Sequence, residues 1–128
     1  MSASPDEERL LLASARDRLA AARDMQRLGH RDDAVSRAYY AIHHAARALI
    51  VEEREPPQTH RGLVHVLHEE FHGPDLLSIE HLEALTEAQR LREVSDYDPS
   101  FEPTEEDVEA TVVAAESFVD KVARLLAD

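Results

Sequence analysis

The chain has 128 residues, 43% of them hydrophobic, a size and composition that predict a folded domain and exclude a disordered chain. Its 27 acidic and 14 basic residues give a net charge of −13, which disfavours non-specific binding to nucleic acid because the phosphates are repelled. The absence of cysteine excludes disulfides and cysteine-ligated zinc.

The abundance of Ala, Leu, Arg and Glu predicts a mostly helical protein, and the first helix follows directly from the N-terminal residues. Ser4 is placed to cap it, Pro5 suits its first position, and the acids that follow favour its positive end. Gly29 predicts an end near Leu28. One face repeats apolar residues and forms the predicted buried stripe: Leu12, Ala15, Leu19 and Ala22.

Helix two is predicted from a cap at Asp32 or Asp33 to about Glu53, and the rest of the chain is organised around it. It has two adjacent apolar stripes, Ala34, Ala38, Ala41, Ala45 and Ala48, and Val35, Tyr39, Ile42, Ala46 and Leu49. Such a helix has neighbours around most of its circumference, and the alanine stripe lets one of them come close. The short link from helix one predicts an antiparallel pair.

Two helices follow the Pro56-Pro57 break. Helix three is predicted over 60–71 with Thr59 as its cap. Helix four is predicted from a cap at Asp75 to about Val94, with these residues buried: Ile79, Leu82, Leu85 and Leu91.

Helix five begins after Thr104, which forms a loose capping box with Asp107, and runs to about Ala127. Its apolar residues have the cleanest helical spacing in the chain: Val108, Val112, Ala115, Val119, Val122 and Leu126. The sequence therefore predicts one all-α domain over residues 1–128, an up-and-down bundle of four to five helices.

A third stripe of helix two is polar and carries Arg37, Tyr40, His44 and Arg47. Arg37 and His44 are seven residues apart and share a face two turns apart. An arginine can stabilise charge on a phosphate, and a histidine can move a proton near neutral pH. The stripe predicts either a site for a phosphate-bearing ligand or a structural polar network that fixes the bundle.

Two further polar groups stand out. Arg92 and Asp96 are spaced to form an ion pair at the end of helix four, and Tyr97 then begins the loop, partly buried. A histidine face on helix three can bind zinc or nickel in principle, but no further ligand is placed to complete the shell: His65, His68 and His72. We therefore expect an exposed histidine face, no bound metal and no cofactor.

Three segments, taken together, resemble HEPN-domain proteins in order and spacing. They are RAYYAIHHAARAL at 37–49, THRG at 59–62 and REVSDY at 92–97, and the resemblance covers about residues 10–126. It implies a helical bundle, usually dimeric, that works on RNA or nucleotides. Many members are toxins encoded beside a minimal nucleotidyltransferase that neutralises them.

The same resemblance implies a reaction. Active members are metal-independent ribonucleases with an Arg followed four to six residues later by a His. In this chain Arg92 stands at the place of that Arg, and Tyr97 stands where the His is expected. On helix two, the Arg-to-His pairs nearest to this spacing are Arg37 with His43, six residues apart, and Arg37 with His44, seven residues apart. Tyr97 also lies near the position of a tyrosine to which the partner enzyme attaches adenylate in related toxins.

We therefore predict an RNA- or nucleotide-binding component of a toxin–antitoxin-type module, a homodimer with a nucleotidyltransferase partner. The catalytic candidates are Arg37, His44 and Arg92. The ligand-binding candidates are Tyr40, His43, Arg47, Asp96 and Tyr97. The alternative is a non-catalytic interaction module whose polar residues lock the bundle and whose acidic surface recognises a basic partner. Since the chain begins without a signal-peptide pattern and has no apolar run long enough for a bilayer, we expect a cytoplasmic protein.

Overall fold

A computed structural model describes residues 5–127, which form five α-helices. They are α1 (Pro5–Arg27), α2 (Arg31–Val51), α3 (His60–Leu67), α4 (Ile79–Tyr97) and α5 (Glu105–Ala127), with a π-helical turn (His68–His72) that extends α3. The predicted all-α bundle is confirmed. None of the helices within 5–127 is long and apolar enough to cross a membrane.

Helix α2 is the centre of the bundle and contacts each of the other four helices. Both predicted stripes are buried, and the five alanines at 34, 38, 41, 45 and 48 are completely inaccessible to solvent. The most extensive helix–helix contact is between α1 and α2. Small side chains allow two helices to approach closely, so the alanine stripe accounts for this contact.

The link between α1 and α2 confirms the predicted helix end. Gly29 has φ +84°, the left-handed conformation that glycine adopts at low cost, and the amide of His30 donates back to the Met25 carbonyl at 2.8 Å. The predicted cap of α2 is wrong. The helix begins at Arg31, so Asp32 and Asp33 lie in its first turn, where their charge favours the positive end of the dipole. The predicted cap at residue 4 lies outside the described residues.

The close packing at the start of α3 explains why residue 62 is a glycine. Thr59 caps the helix as predicted, with its Oγ1 accepting from the Gly62 amide at 3.0 Å. A Cβ on residue 62 would lie 2.9 Å from both Pro57 Cβ and Thr59 Oγ1. A side chain at this position therefore clashes with the cap and with the proline that precedes it.

The predicted start of α4 is wrong. Asp75 lies in a turn with φ +67°, and Ser78 is the cap: its Oγ accepts from the His81 amide, while His81 Nδ1 accepts from the Ser78 amide at 3.1 Å. The helix starts late because Leu77 first inserts into the core, where it is 1% exposed. Ile79, predicted to be buried, is 45% exposed because it is the first residue of the helix.

Helix α5 begins as predicted. The Asp107 amide donates to Thr104 Oγ1, and the Thr104 amide donates to Asp107 Oδ2, both at 3.0 Å, so the loose capping box forms. The predicted apolar face is buried, with Leu126 only partly so. Phe118 extends the buried face and packs edge-on against His81 of α4, their ring centroids 6.0 Å apart.

Candidate anion-binding groove

A groove of about 400 Å³ lies where α1 and the first half of α2 meet. Its lining brings together three of the predicted site residues with three others: Arg37, Tyr40 and His44, and Arg18, Asp33 and Ser36. Three of the four residues of the predicted polar stripe of helix two thus line one groove.

Helical spacing places the α2 residues in the groove, because Arg37, Tyr40 and His44 follow one face at i, i+3 and i+7. Arg18 comes from α1 and was missed in the sequence. A signal for it existed, since Arg18 lies three residues after Ala15, a buried residue of the face that packs against the bundle. A long side chain at the edge of a packed face reaches the neighbouring helix surface.

Within residues 5–127, two groove arginines have no carboxylate partner. Arg37 is exposed and forms no hydrogen bond or ion pair with any of residues 5–127, and Arg18 donates to the Ser14 hydroxyl at 2.7 Å. Seven other arginines of the same range do pair with carboxylates: Arg9, Arg23, Arg27, Arg31, Arg54, Arg90 and Arg92. Since the chain has 27 acids, two unpaired guanidiniums in one groove form a local cationic site against the overall charge. Asp33 is the one carboxylate in the lining.

His44 stands beside these arginines as a neutral imidazole. Burial lowers its pKa below the ordinary 6.5, and the charges of Arg18 and Arg47 lower this pKa further. Its Nδ1 is buried without a hydrogen-bond partner among residues 5–127, which leaves Nε2 as the ring nitrogen available to a ligand. Arg47, the fourth residue of the predicted stripe, does not line the groove. It acts on the groove through its charge, which lowers the pKa of His44.

Arg92 occupies a different place, above the aromatic rings of α2. Its guanidinium carbon lies 5.0 Å from the ring centre of Tyr39 and 5.7 Å from that of Tyr40. Its Nε and Nη2 donate to Gln89 Oε1 at 3.2 Å, and its Nη1 donates to Asp96 Oδ2 at 3.0 Å. The predicted ion pair is therefore present, and the guanidinium is held by α4 and by both tyrosines.

His43 faces this aromatic cluster and not the groove. Its ring lies 5.7 Å from Tyr39, and its pKa is lowered to about 4, first by burial and then by the charges of Arg47, His44, His60 and Arg92. His60 belongs to the same aromatic cluster, because its ring centre lies 6.3 Å from that of Tyr39. Tyr39 and His60 were missed as polar-cluster members because the pattern placed one in the core and the other at a helix start.

Tyr97 lies apart from both groups. It is the last residue of α4 and is 86% exposed, so the prediction of a partly buried residue at the start of a loop is wrong. The helix continues past Val94 because Arg92 and Asp96 pair one turn apart within it. On α3, no group of three His, Asp or Glu side chains within 5–127 is arranged to hold a metal ion. His72 instead donates a hydrogen bond from Nδ1 to the Leu77 carbonyl at 2.8 Å.

Comparison with known proteins places this geometry in a family context. A family model described as the HEPN domain matches residues 8–125. A protein of Methanocaldococcus jannaschii named "Putative toxin MJ0605" is 32% identical over 94% of this chain and 90% of its own length. A second protein of that organism, named "Putative toxin MJ0142", is 28% identical over 91% of this chain and 79% of its own length.

Proposed function

This chain belongs to the HEPN-domain family, and we propose that it is the toxin component of a two-component module, which binds RNA and cleaves it without a metal ion. The observation that carries the proposal is the groove that Arg37, Arg18 and His44 line together. Neither arginine pairs with a carboxylate of residues 5–127, and the pKa of His44 is lowered. The names of its two relatives support the toxin part.

The reaction follows from these groups. Arg37 and Arg18 hold the non-bridging oxygens of one phosphate and stabilise the negative charge that grows there. His44 Nε2 takes the proton from the adjacent 2′-hydroxyl, and its lowered pKa keeps the ring ready to accept that proton at neutral pH. The 2′-oxygen bonds to phosphorus while the bond from phosphorus to the 5′-oxygen breaks. The leaving 5′-oxygen takes a proton from water, and the imidazolium of His44 returns its proton to the resulting hydroxide. The products are a 2′,3′-cyclic phosphate and a 5′-hydroxyl, with the His44 ring neutral again.

The remaining parts of the proposal rest on the family resemblance. The protein is a cytoplasmic homodimer, and a minimal nucleotidyltransferase is its neutralising partner. The exposed phenol of Tyr97 suits attachment of adenylate by that partner, because a group 86% exposed at a helix end can enter another active site. Size-exclusion chromatography with light scattering tests the dimer, and co-purification with a minimal nucleotidyltransferase tests the partner.

The direct test is cleavage of single-stranded RNA by the purified protein in excess chelator. The wild type is expected to release a 2′,3′-cyclic phosphate. The His44→Gln variant should cleave at least about 100-fold more slowly because the proton acceptor is lost. The matched control is His65→Gln, which removes an exposed histidine on α3. Equal activity of wild type and His44→Gln would contradict the assignment of His44.

A second candidate function is favoured by a different observation. Arg92, the arginine at the motif position, is bonded to Gln89 and Asp96 and stacked on two tyrosines, as a structural residue would be. A non-catalytic module with a locked bundle and an acidic surface fits this arrangement. RNA that is bound and not cleaved would support a binding module. A protein that does not interact with RNA would support recognition of a basic protein partner by the acidic surface.

A further inference from the structure

Tyr40 belongs to the groove and to the aromatic cluster at once. Its ring is 38% exposed and lines the groove beside Arg37 and His44. The ring is also held from within the protein, because Tyr39 packs edge-on against it with ring centres 5.2 Å apart and an interplanar angle of 68°. An exposed aromatic ring held in one orientation loses little freedom when a flat ligand packs on it.

Arg92 holds Tyr40 from α4. Its guanidinium carbon lies 5.7 Å from the centre of the Tyr40 ring, and its donors are occupied by Gln89 and Asp96. An arginine fixed in this way adds rigidity to the ring and has few free donors for a phosphate. The contacts therefore connect Arg92 to the groove through Tyr40.

We propose that Tyr40 is a stacking platform for an unpaired base, with Arg37 and Arg18 on the adjoining phosphate and Arg92 as a positioning residue. This inference rests on the proposed function and narrows its substrate to single-stranded RNA. Bases in a duplex are stacked on each other and present only their edges, so they cannot lie on the ring. Stacking on an aromatic side chain tolerates any base, because every base has a π face.

The spacing on α2 suits one nucleotide. Tyr40 follows Arg37 by three residues and precedes His44 by four, so about 5 Å of helix separates the ring from each of them. A base on Tyr40 therefore brings its own sugar and phosphate within reach of both side chains. Stacking on Tyr40 by itself confers no specificity for base identity, because the ring supplies only a flat surface.

The test compares three probes by fluorescence anisotropy: a single-stranded oligoribonucleotide, the same strand with abasic sites, and the matching duplex. In Tyr40→Leu the affinity for the intact strand should fall about 5- to 100-fold, while the affinity for the abasic strand stays within about twofold. The Tyr40→Trp variant should bind the intact strand as the wild type does. Arg37→Ala should weaken both single strands equally, since it acts on the phosphate.

The positioning role of Arg92 is tested separately, by binding of the same intact and abasic strands to Arg92 variants. Arg92→Met should weaken binding of the intact strand several-fold and leave the abasic strand unchanged, and Arg92→Lys, which restores a cation over the rings, should recover part of the loss. An equal loss of both strands in Tyr40→Leu or Arg92→Met would overturn the stacking role. Duplex bound as tightly as single strand would overturn it too. A wild type that binds none of the three probes would instead remove the proposed function.

Discussion

Two faces of α2 use the same residue types with opposite results. On one face, Arg92 lies over Tyr39, its donors reach Gln89 and Asp96, and the half-buried His43 packs against the same ring. On the other face, Arg37 is exposed without a partner in the described range and stands beside His44. Arginine, tyrosine and histidine alone therefore do not mark a site. The state of their partners separates a structural cluster from a groove that can take an anion.

This difference makes the two faces experimentally separable. Substitutions in the aromatic cluster remove contacts within the protein and should lower its stability. Substitution of Arg37 in the groove removes a charge that has no partner among residues 5–127 and should change ligand binding with little effect on stability. Tyr40 is the residue that connects the faces, because it touches Arg92 and also lines the groove.

The largest effect is expected from acid. The pKa of His43 is about 4 in the folded protein and about 6.5 when unfolded, so the neutral ring stabilises the fold fully above pH 6.5. As the pH falls from 6.5 toward 4, the unfolded chain binds a proton that the folded protein does not, and up to about 3 kcal/mol of stability is lost. Urea unfolding at a series of pH values measures this slope.

The variant His43→Gln, which cannot titrate, should make that slope shallower between pH 6.5 and 4. His44, His60 and His81, whose pKa values are also lowered by burial, contribute to the slope that remains. The exposed His65 on α3 supplies a matched control, His65→Gln, for the loss of a histidine as such. A slope that remains as steep in His43→Gln as in the wild type would show that the buried ring is not its source.

The next effect concerns the contribution of Arg92 to stability. Arg92→Ala removes the cation from two aromatic rings and the bonds to Gln89 and Asp96, and should lower the free energy of unfolding by about 2 kcal/mol. The matched control is Arg90→Ala, on the opposite side of α4. Arg90 is exposed and, within residues 5–127, its ion pair is with Glu87, so the substitution should cost less than about 0.5 kcal/mol. Equal melting temperatures for the two variants would refute the structural cluster.

The smallest effect concerns the groove. Arg37→Ala should leave the free energy of unfolding within about 0.5 kcal/mol of the wild-type value, because the side chain has no partner within 5–127 to lose. Binding of single-stranded RNA should become less dependent on salt, with the slope of log affinity against log salt falling by about 0.7 for each phosphate contact removed. A titration at several salt concentrations measures it, and an unchanged slope would place the phosphate elsewhere.

Much of the fold could be predicted because the local rules agree with one another. The alanine and mixed apolar stripes of α2, the Gly29 helix end, the Thr59 cap and the Thr104–Asp107 capping box all formed as expected. The error at the start of α4 arises because the core overrides the local pattern. Leu77 inserts into the core before α4 can begin, which moves the cap from Asp75 to Ser78.

The candidate site was predictable only in part, for the same reason. Spacing on a single helix was enough to place Arg37, Tyr40 and His44 on one face, because a helix has a fixed period. It did not supply Arg18, which comes from another helix, nor the Arg92 contact to the two tyrosines. Those depend on how α1 and α4 pack against α2.

The amino-acid sequence by itself determined the helices of this protein and the faces they bury, because periodicity, caps and glycine conformations act over a few residues. The tertiary structure decided which charged side chains acquire partners from other helices. Arg92 and Arg37 both lie in segments that resemble the family, and the spacing within α4 already predicted the Arg92–Asp96 pair. Packing of α4 against α2 adds the two tyrosine rings to Arg92, whereas Arg37 remains exposed and shares the groove with Arg18. Partners from distant parts of the chain meet only when the helices pack, so this distinction is absent from any local pattern.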